Sequence, residues 1–124
     1  MIGEPPLFEV CETDVALQAL LGDSNTLRIF AFGNAPQKST RPYVVWRTVY
    51  GSPENYLGSV PDIDYLGTEI NVYAPEAQDA RDIKNALVLV IEQVAHVTGW
   101  NGEGLDTVTG LYLVSFTVDW FVNR

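Results

Sequence analysis

The chain is poor in the residues that carry most chemistry and most crosslinks. Its 124 residues include one cysteine, one histidine and one methionine. Cys11 alone excludes an intrachain disulfide, and within an apolar helical segment it reads as a small buried hydrophobe. A single Cys and a single His leave no paired donors for a zinc site. The sequence places His96 at the end of a helix, where the dipole favours an imidazolium, and that structural role is preferred to a catalytic one. No nucleophile, base and orienting group can be assembled from such an inventory. G-x-S-x-G, a Walker loop and G-x-G-x-x-G after a strand are all missing. The glycines of Val97–Gly104 (V-T-G-W-N-G-E-G) have no following helix or lysine, so they read as turn formers and not as a phosphate cradle.

Basic residues are scarce too. Seven Lys and Arg stand against 16 Asp and Glu, a formal charge of −9. Tight binding to nucleic acid draws on clustered Lys and Arg, so that function class is disfavoured. Solubility is the plain reading of the acidity. The longest apolar run, Ala86–Ile91, is far too short to cross a bilayer, and no basic n-region precedes an apolar stretch at the N-terminus. The expectation is a soluble protein that folds in a cytoplasm, with no membrane partner. Asp62 with Asp64, joined by Glu54, offers the one oxygen-ligand set for a hard cation. Its spacing is weaker than an EF-hand loop, and capping of turns and strand edges is the preferred reading. Neither a metal nor a cofactor is expected, and an enzyme is the remote alternative.

What the chain does hold is apolar and aromatic surface. Hydrophobic residues make up 47%, with three Trp, six Tyr and five Phe, enough for one well-packed domain over residues 1–124. Pro5 and Pro6 suit a first helical turn. Leu7, Val10 and Cys11, then Val15, Leu17, Leu20 and Leu21, follow at helical spacing, as one helix with a weak middle or two in series, to Gly22. Leu27–Phe32 reads as a short strand and Tyr43–Tyr50 as a strand covered on both faces. Tyr65–Ala74 alternates, with Leu66, Ile70 and Val72 on one face and Gly67, Glu69, Asn71 and Tyr73 on the other. The clearest helix is predicted over Glu76–Ala95, with Ile83, Leu87, Val90, Ile91 and Val94 as its stripe. His96–Trp100 reads as a short strand entering a turn at Asn101-Gly102, and Leu111–Val122 as a long final strand with Tyr112, Val114, Phe116, Val118, Trp120 and Val122 on one face and Ser115, Thr117 and Asp119 on the other. The expected fold is α+β: an antiparallel sheet of four to five strands with a long helix and a short N-terminal helical segment packed on it.

One connector stands out. Gly51–Asp64 (G-S-P-E-N-Y-L-G-S-V-P-D-I-D) separates two strands that a hairpin would join with two to five residues. Tyr56 and Leu57 sit among turn formers, the composition of a docking arm. Pro53, Glu54, Asn55, Tyr56, Leu57 and, on the following strand, Tyr73 are the candidate interface residues, since Tyr is enriched at interfaces. Trp46 and Trp120 are assigned to the core.

The order of motifs resembles a known family. R-I-F (Arg28–Phe30), A-P-Q (Ala35–Gln37), P-Y-V-V-W (Pro42–Trp46), G-S-P-E-N-Y-L-G, I-N-V-Y-A (Ile70–Ala74), an Ala-rich helix, H-V-T-G-W-N-G (His96–Gly102) and a final aromatic strand look like the tail completion, or tail terminator, proteins of long-tailed bacteriophages. The similarity spans nearly the whole chain. One departure is Gly67-Thr68, where members of that family often carry a basic residue. The resemblance implies a structural subunit, assembled in the host bacterial cytoplasm into a homo-oligomeric ring, commonly a hexamer. In the virion such a ring caps the head-proximal end of the tail tube. It ends tube polymerisation and offers a joint to the neck or head-completion protein, while DNA passes through without specific binding. Under that reading Glu54, Asp62, Asp64 and Glu69 are candidates to line the channel, where repulsion keeps DNA from sticking. The alternative is another head–tail connector, a neck or head-closure protein.

Overall fold

The computed structural model describes residues 5–23, 26–31, 42–53 and 63–123. Pro6 caps a short helix, α1 (Leu7–Cys11), and Asp14 caps a second, α2 (Val15–Leu21), so the N-terminal segment is two helices in series. Each buries one i, i+4 pair, Leu7 with Cys11 and Leu17 with Leu21. Gly22 ends α2 as expected, but in extended conformation at φ −69. Glycine is needed there for close approach: a Cβ would lie 2.1 Å from the Gln18 carbonyl oxygen. The chain then forms a small ribbon of β1 (Gly22–Asp23) and β2 (Thr26–Leu27), and next β3 (Ile29–Ala31). Arg28 sits between β2 and β3. It donates from Nε to the Pro42 carbonyl at 2.7 Å and from Nη1 to the Gly22 carbonyl at 2.9 Å, tying the helical segment to the main sheet.

Four long elements and a helix complete the domain: β4 (Tyr43–Pro53), β5 (Ile63–Ala74), α3 (Ala77–Ile91), β6 (His96–Leu105) and β7 (Tyr112–Asn123). The five-stranded sheet runs β3-β4-β5-β7-β6. The class is α+β as expected, but the sheet is mixed: β3 lies parallel to β4, with Ile29 opposite Val44, while the other neighbours are antiparallel. The expected Leu27–Phe32 strand divides at Arg28 because Arg28 N–H bonds back to the Leu21 carbonyl and its carbonyl accepts from Val44 N–H.

The predicted helix is also shorter than its apolar pattern. α3 stops at Ile91, and the following backbone N–H groups close irregular turns on Val88, Val90 and Ile91. Ala80, Ile83, Leu87 and Ile91 form the buried stripe, and Val94 is left exposed. His96 accordingly does not sit at a helix terminus. It opens β6, exposed and opposite Asp119. The Asn101-Gly102 turn is likewise absent: β6 continues through it with register shifts at Val97/Gly99 and Trp100/Gly102.

All three helices lie on one face of the sheet, α3 against β5 and β7, with α1 and α2 against α3. That face carries Leu66, Ile70, Val72, Val114, Phe116, Val118 and Trp120, all buried, the alternation the sequence predicts. Trp46 packs half-buried at its margin. β4 is not covered on both faces as expected. Val44 is buried, but Arg47 to Ser52 are exposed.

Candidate functional site

The second face of the sheet carries the polar and aromatic side chains that alternate with the core. Along β5 these are Tyr65, Gly67, Glu69, Asn71 and Tyr73; along β7 they are Leu113, Ser115, Thr117, Asp119 and Phe121. Tyr73 stacks on Tyr43 of β4, ring centroids 5.1 Å apart and 19° from parallel. Partial burial raises both phenols above their ordinary pKa, with smaller contributions from nearby charges. Tyr73, a predicted interface residue, thus spends much of its ring on a neighbour in its own sheet. Glu69 lies beside it on the same face. Its carboxylate is 3.6 Å from Arg47 and accepts from Asn71 Nδ2 at 3.1 Å.

Further along this face a carboxylate gathers two phenols. Tyr65 donates to Asp119 Oδ2 at 2.7 Å, and Tyr50 donates to Oδ1. The Asp119 bond, then that with Tyr50, raises the Tyr65 pKa well above its usual value, because ionising the phenol would break a bond to an anion. Phe121 packs at 5.3 Å from the Tyr65 ring. Tyr50 reaches Asp119 by crossing over Gly67, and a Cβ at 67 would fall 2.0 Å from its ring. Glycine in the middle of β5 is therefore required by the ring above it. The sequence holds one signal for this cluster, a glycine interrupting an otherwise β-forming strand.

Tyr50 and Tyr65 flank the long connector, which is narrower than the sequence implies. Gly51, Ser52 and Pro53 remain on β4, opposite Leu66, Tyr65 and Asp64. Pro53 is the last described residue of its strand, and Ile63 the first of the next. Glu54, Asn55, Tyr56, Leu57 and Asp62 lie outside the described residues. Asp64 is 3% exposed, on the helix side of the sheet. The structure buries it within its own subunit, on the face opposite Glu69.

At the far edge, α3 and β6 bound two shallow adjoining grooves of about 350 and 290 Å³. Arg81 of α3 and Glu103 of β6 cross them through paired bonds of 2.9 and 3.0 Å. The Arg81 bond holds the Glu103 carboxyl below its usual range, although at this exposure the pair contributes little stability. Trp100 is 63% exposed, with the Lys84 ammonium 4.9 Å from its ring centroid.

Chemically, these groups stack, bridge and present backbone. Among the described residues no three His, Cys, Asp or Glu side chains converge as metal ligands, and no described helix is long and apolar enough to cross a membrane. Cys11 is fully buried, its thiol pushed up to about 12 by burial first and by the Asp14 charge second. A family model, tail completion protein gp17, matches residues 5–123. Comparison with curated proteins finds no match.

Proposed function

We infer a structural role from one premise: the chain belongs to the tail completion protein gp17 family, a family of phage tail proteins. Its subunits assemble into a closed ring, six-fold in copy number, that caps the head-proximal end of the tail tube in the virion. The ring ends tube polymerisation and presents a joint to the neck or head-completion protein. Its partners are its own copies, the tube protein and that neck protein, and it acts without catalysis.

The family match over nearly the whole chain carries this reading, and the geometry is consistent with it. A capping subunit needs a rigid sheet and surfaces for neighbours, and both grooves and the open sheet face offer stacking and pairing groups. The −9 charge suits a channel through which DNA slides without phosphate contacts. We assign Glu69, an acid of the open face, to line such a channel, together with Glu54 and Asp62.

Deleting the gene in the phage and imaging the particles tests the assignment. Overlong or unfinished tails left unjoined to heads that hold their DNA are expected. Heads that leak DNA beside normal, finished tails would instead identify a head-closure protein.

A further inference from the structure

Two long stretches of strand edge carry no partner strand among the described residues, and they lie on opposite sides of the same sheet. One is β6, the last strand in the sheet order. The other is the half of β4 beyond Trp46, the partner of Ala31, which is the last described residue of β3. Arg47 to Ser52 are exposed, as are most residues of β6. A bare edge is a row of unmet N–H and C=O groups that recruits another strand. We propose that β6 of one copy pairs with the Arg47–Pro53 half of β4 in the next, so that the sheet continues from subunit to subunit. This rests on the ring reading above and names the surfaces that close the ring.

Strand direction supports the pairing. Three antiparallel steps separate β4 from β6, so the two run in opposite directions. Rotation about an axis parallel to the strands preserves each direction, and β6 then meets its neighbour's β4 antiparallel. The two edges are different surfaces, so the contact is head-to-tail and propagates to a ring instead of stopping at a dimer.

Glycines on one of the edges also leave room for a neighbouring strand. On the open face, the β4 edge presents Arg47, Tyr50 and Ser52, which lie opposite Glu69, Gly67 and Tyr65. On that same face the β6 edge presents Gly99, Gly102 and Gly104, opposite Thr117, Ser115 and Leu113. A Cβ built at Gly102 or Gly104 meets nothing within 4 Å, and one at Gly99 meets only Asn101 Oδ1 at 3.6 Å. The β6 edge therefore has vacant space on this face, and glycine within a strand marks where another chain approaches closely. Charge agrees: on a strongly acidic chain these two edges carry only Arg47 and Glu103 and sum to zero, so like-charged copies meet there without repulsion. The register shift in β4 between Thr48 and Tyr50 and the two in β6 bend the strands, as a sheet closing on itself requires.

Hydrogen exchange on the whole protein, free and bound to tail tubes, reads the contact without assuming a register. Amides of Arg47–Ser52 and of β6 should slow by about tenfold or more on assembly. Gly104→Lys points a charge into the vacant space and should leave the free subunit's melting temperature close to the parent's. It should also raise the concentration needed for assembly by about tenfold or more. A ring in which both edges exchange as fast as in the free subunit overturns the pairing while leaving the ring reading intact. So does a folded Gly104→Lys that assembles like the parent. Failure to form any higher assembly, alone or on tubes, overturns both.

Discussion

Gly67 and Cys11 show how much a single position can specify here. The Tyr50 ring fills the space a side chain at 67 would need, so Gly67→Ala should act as overpacking and destabilise the fold by about 1–3 kcal/mol. The collision also pulls Tyr50 from Asp119. A double-mutant cycle with Tyr50→Ala checks the cause: Gly67→Ala should cost much less once the ring is gone, and simple additivity would refute the collision. Cys11 yields a pH expectation. Its folded pKa is raised to about 12, so the neutral thiol is the form the fold retains. The associated stability is fully present below the ordinary thiol pKa and is lost as pH rises from there towards 12. Tyr43, Tyr65 and Tyr73, also raised, add to the loss at the alkaline end. The denaturant midpoint should accordingly fall above about pH 9, and iodoacetamide at pH 8 should label Cys11 far faster in the unfolded chain than in the folded one.

Elements were legible where a periodic pattern met a buried face. The alternation of β5 and β7 and the Ile83-Leu87-Ile91 stripe were readable because burial on one side imposes the period. Boundaries were less so. Val94 continues the helical spacing but projects past the core, and His96 lies where the apolar pattern of α3 gives way to an edge strand whose glycines resemble turn residues. A short strand at β3 was readable, but its parallel pairing was not, since a three-residue strand has no period and the pairing depends on Arg28 holding distant carbonyls together. The candidate site was legible in part. Tyr73 and Glu69 fall on the open face as the alternation implies. The Tyr50–Tyr65–Asp119 cluster depends on strand order, which joins β5 to β7 across the whole of α3 and β6 in sequence, and no local pattern encodes that. Asp64 shares the even-numbered row with Leu66 and is buried with it, a consequence of β5 beginning earlier than its composition suggests.

At the scale of the whole molecule, the proposed ring divides labour between a folded sheet and the connector 54–62. Because Gly51–Pro53 already pair with Asp64–Leu66, residues 54–62 can be replaced by a two-residue hairpin turn without removing any described strand pairing. The shortened subunit should unfold at a temperature close to the parent's yet fail to complete tails when supplied to a phage lacking the gene. Normal-length, joined tails from that complementation would show that the connector is dispensable for assembly.

Strand order also bears on how the chain reaches this structure. The interior of the sheet is built from β5 and β7, so Ile70 must wait for Phe116, and β6 finds its place only by pairing back from β7. These are contacts of high sequence separation, whose loop-closure entropy is spent before the pairing repays it. Folding is therefore expected on a scale of roughly milliseconds to seconds, slow for a domain of this size. During that interval β4 and β5 form a hairpin with a bare edge, and the nascent subunit is most prone to aggregate before its C-terminal strand docks.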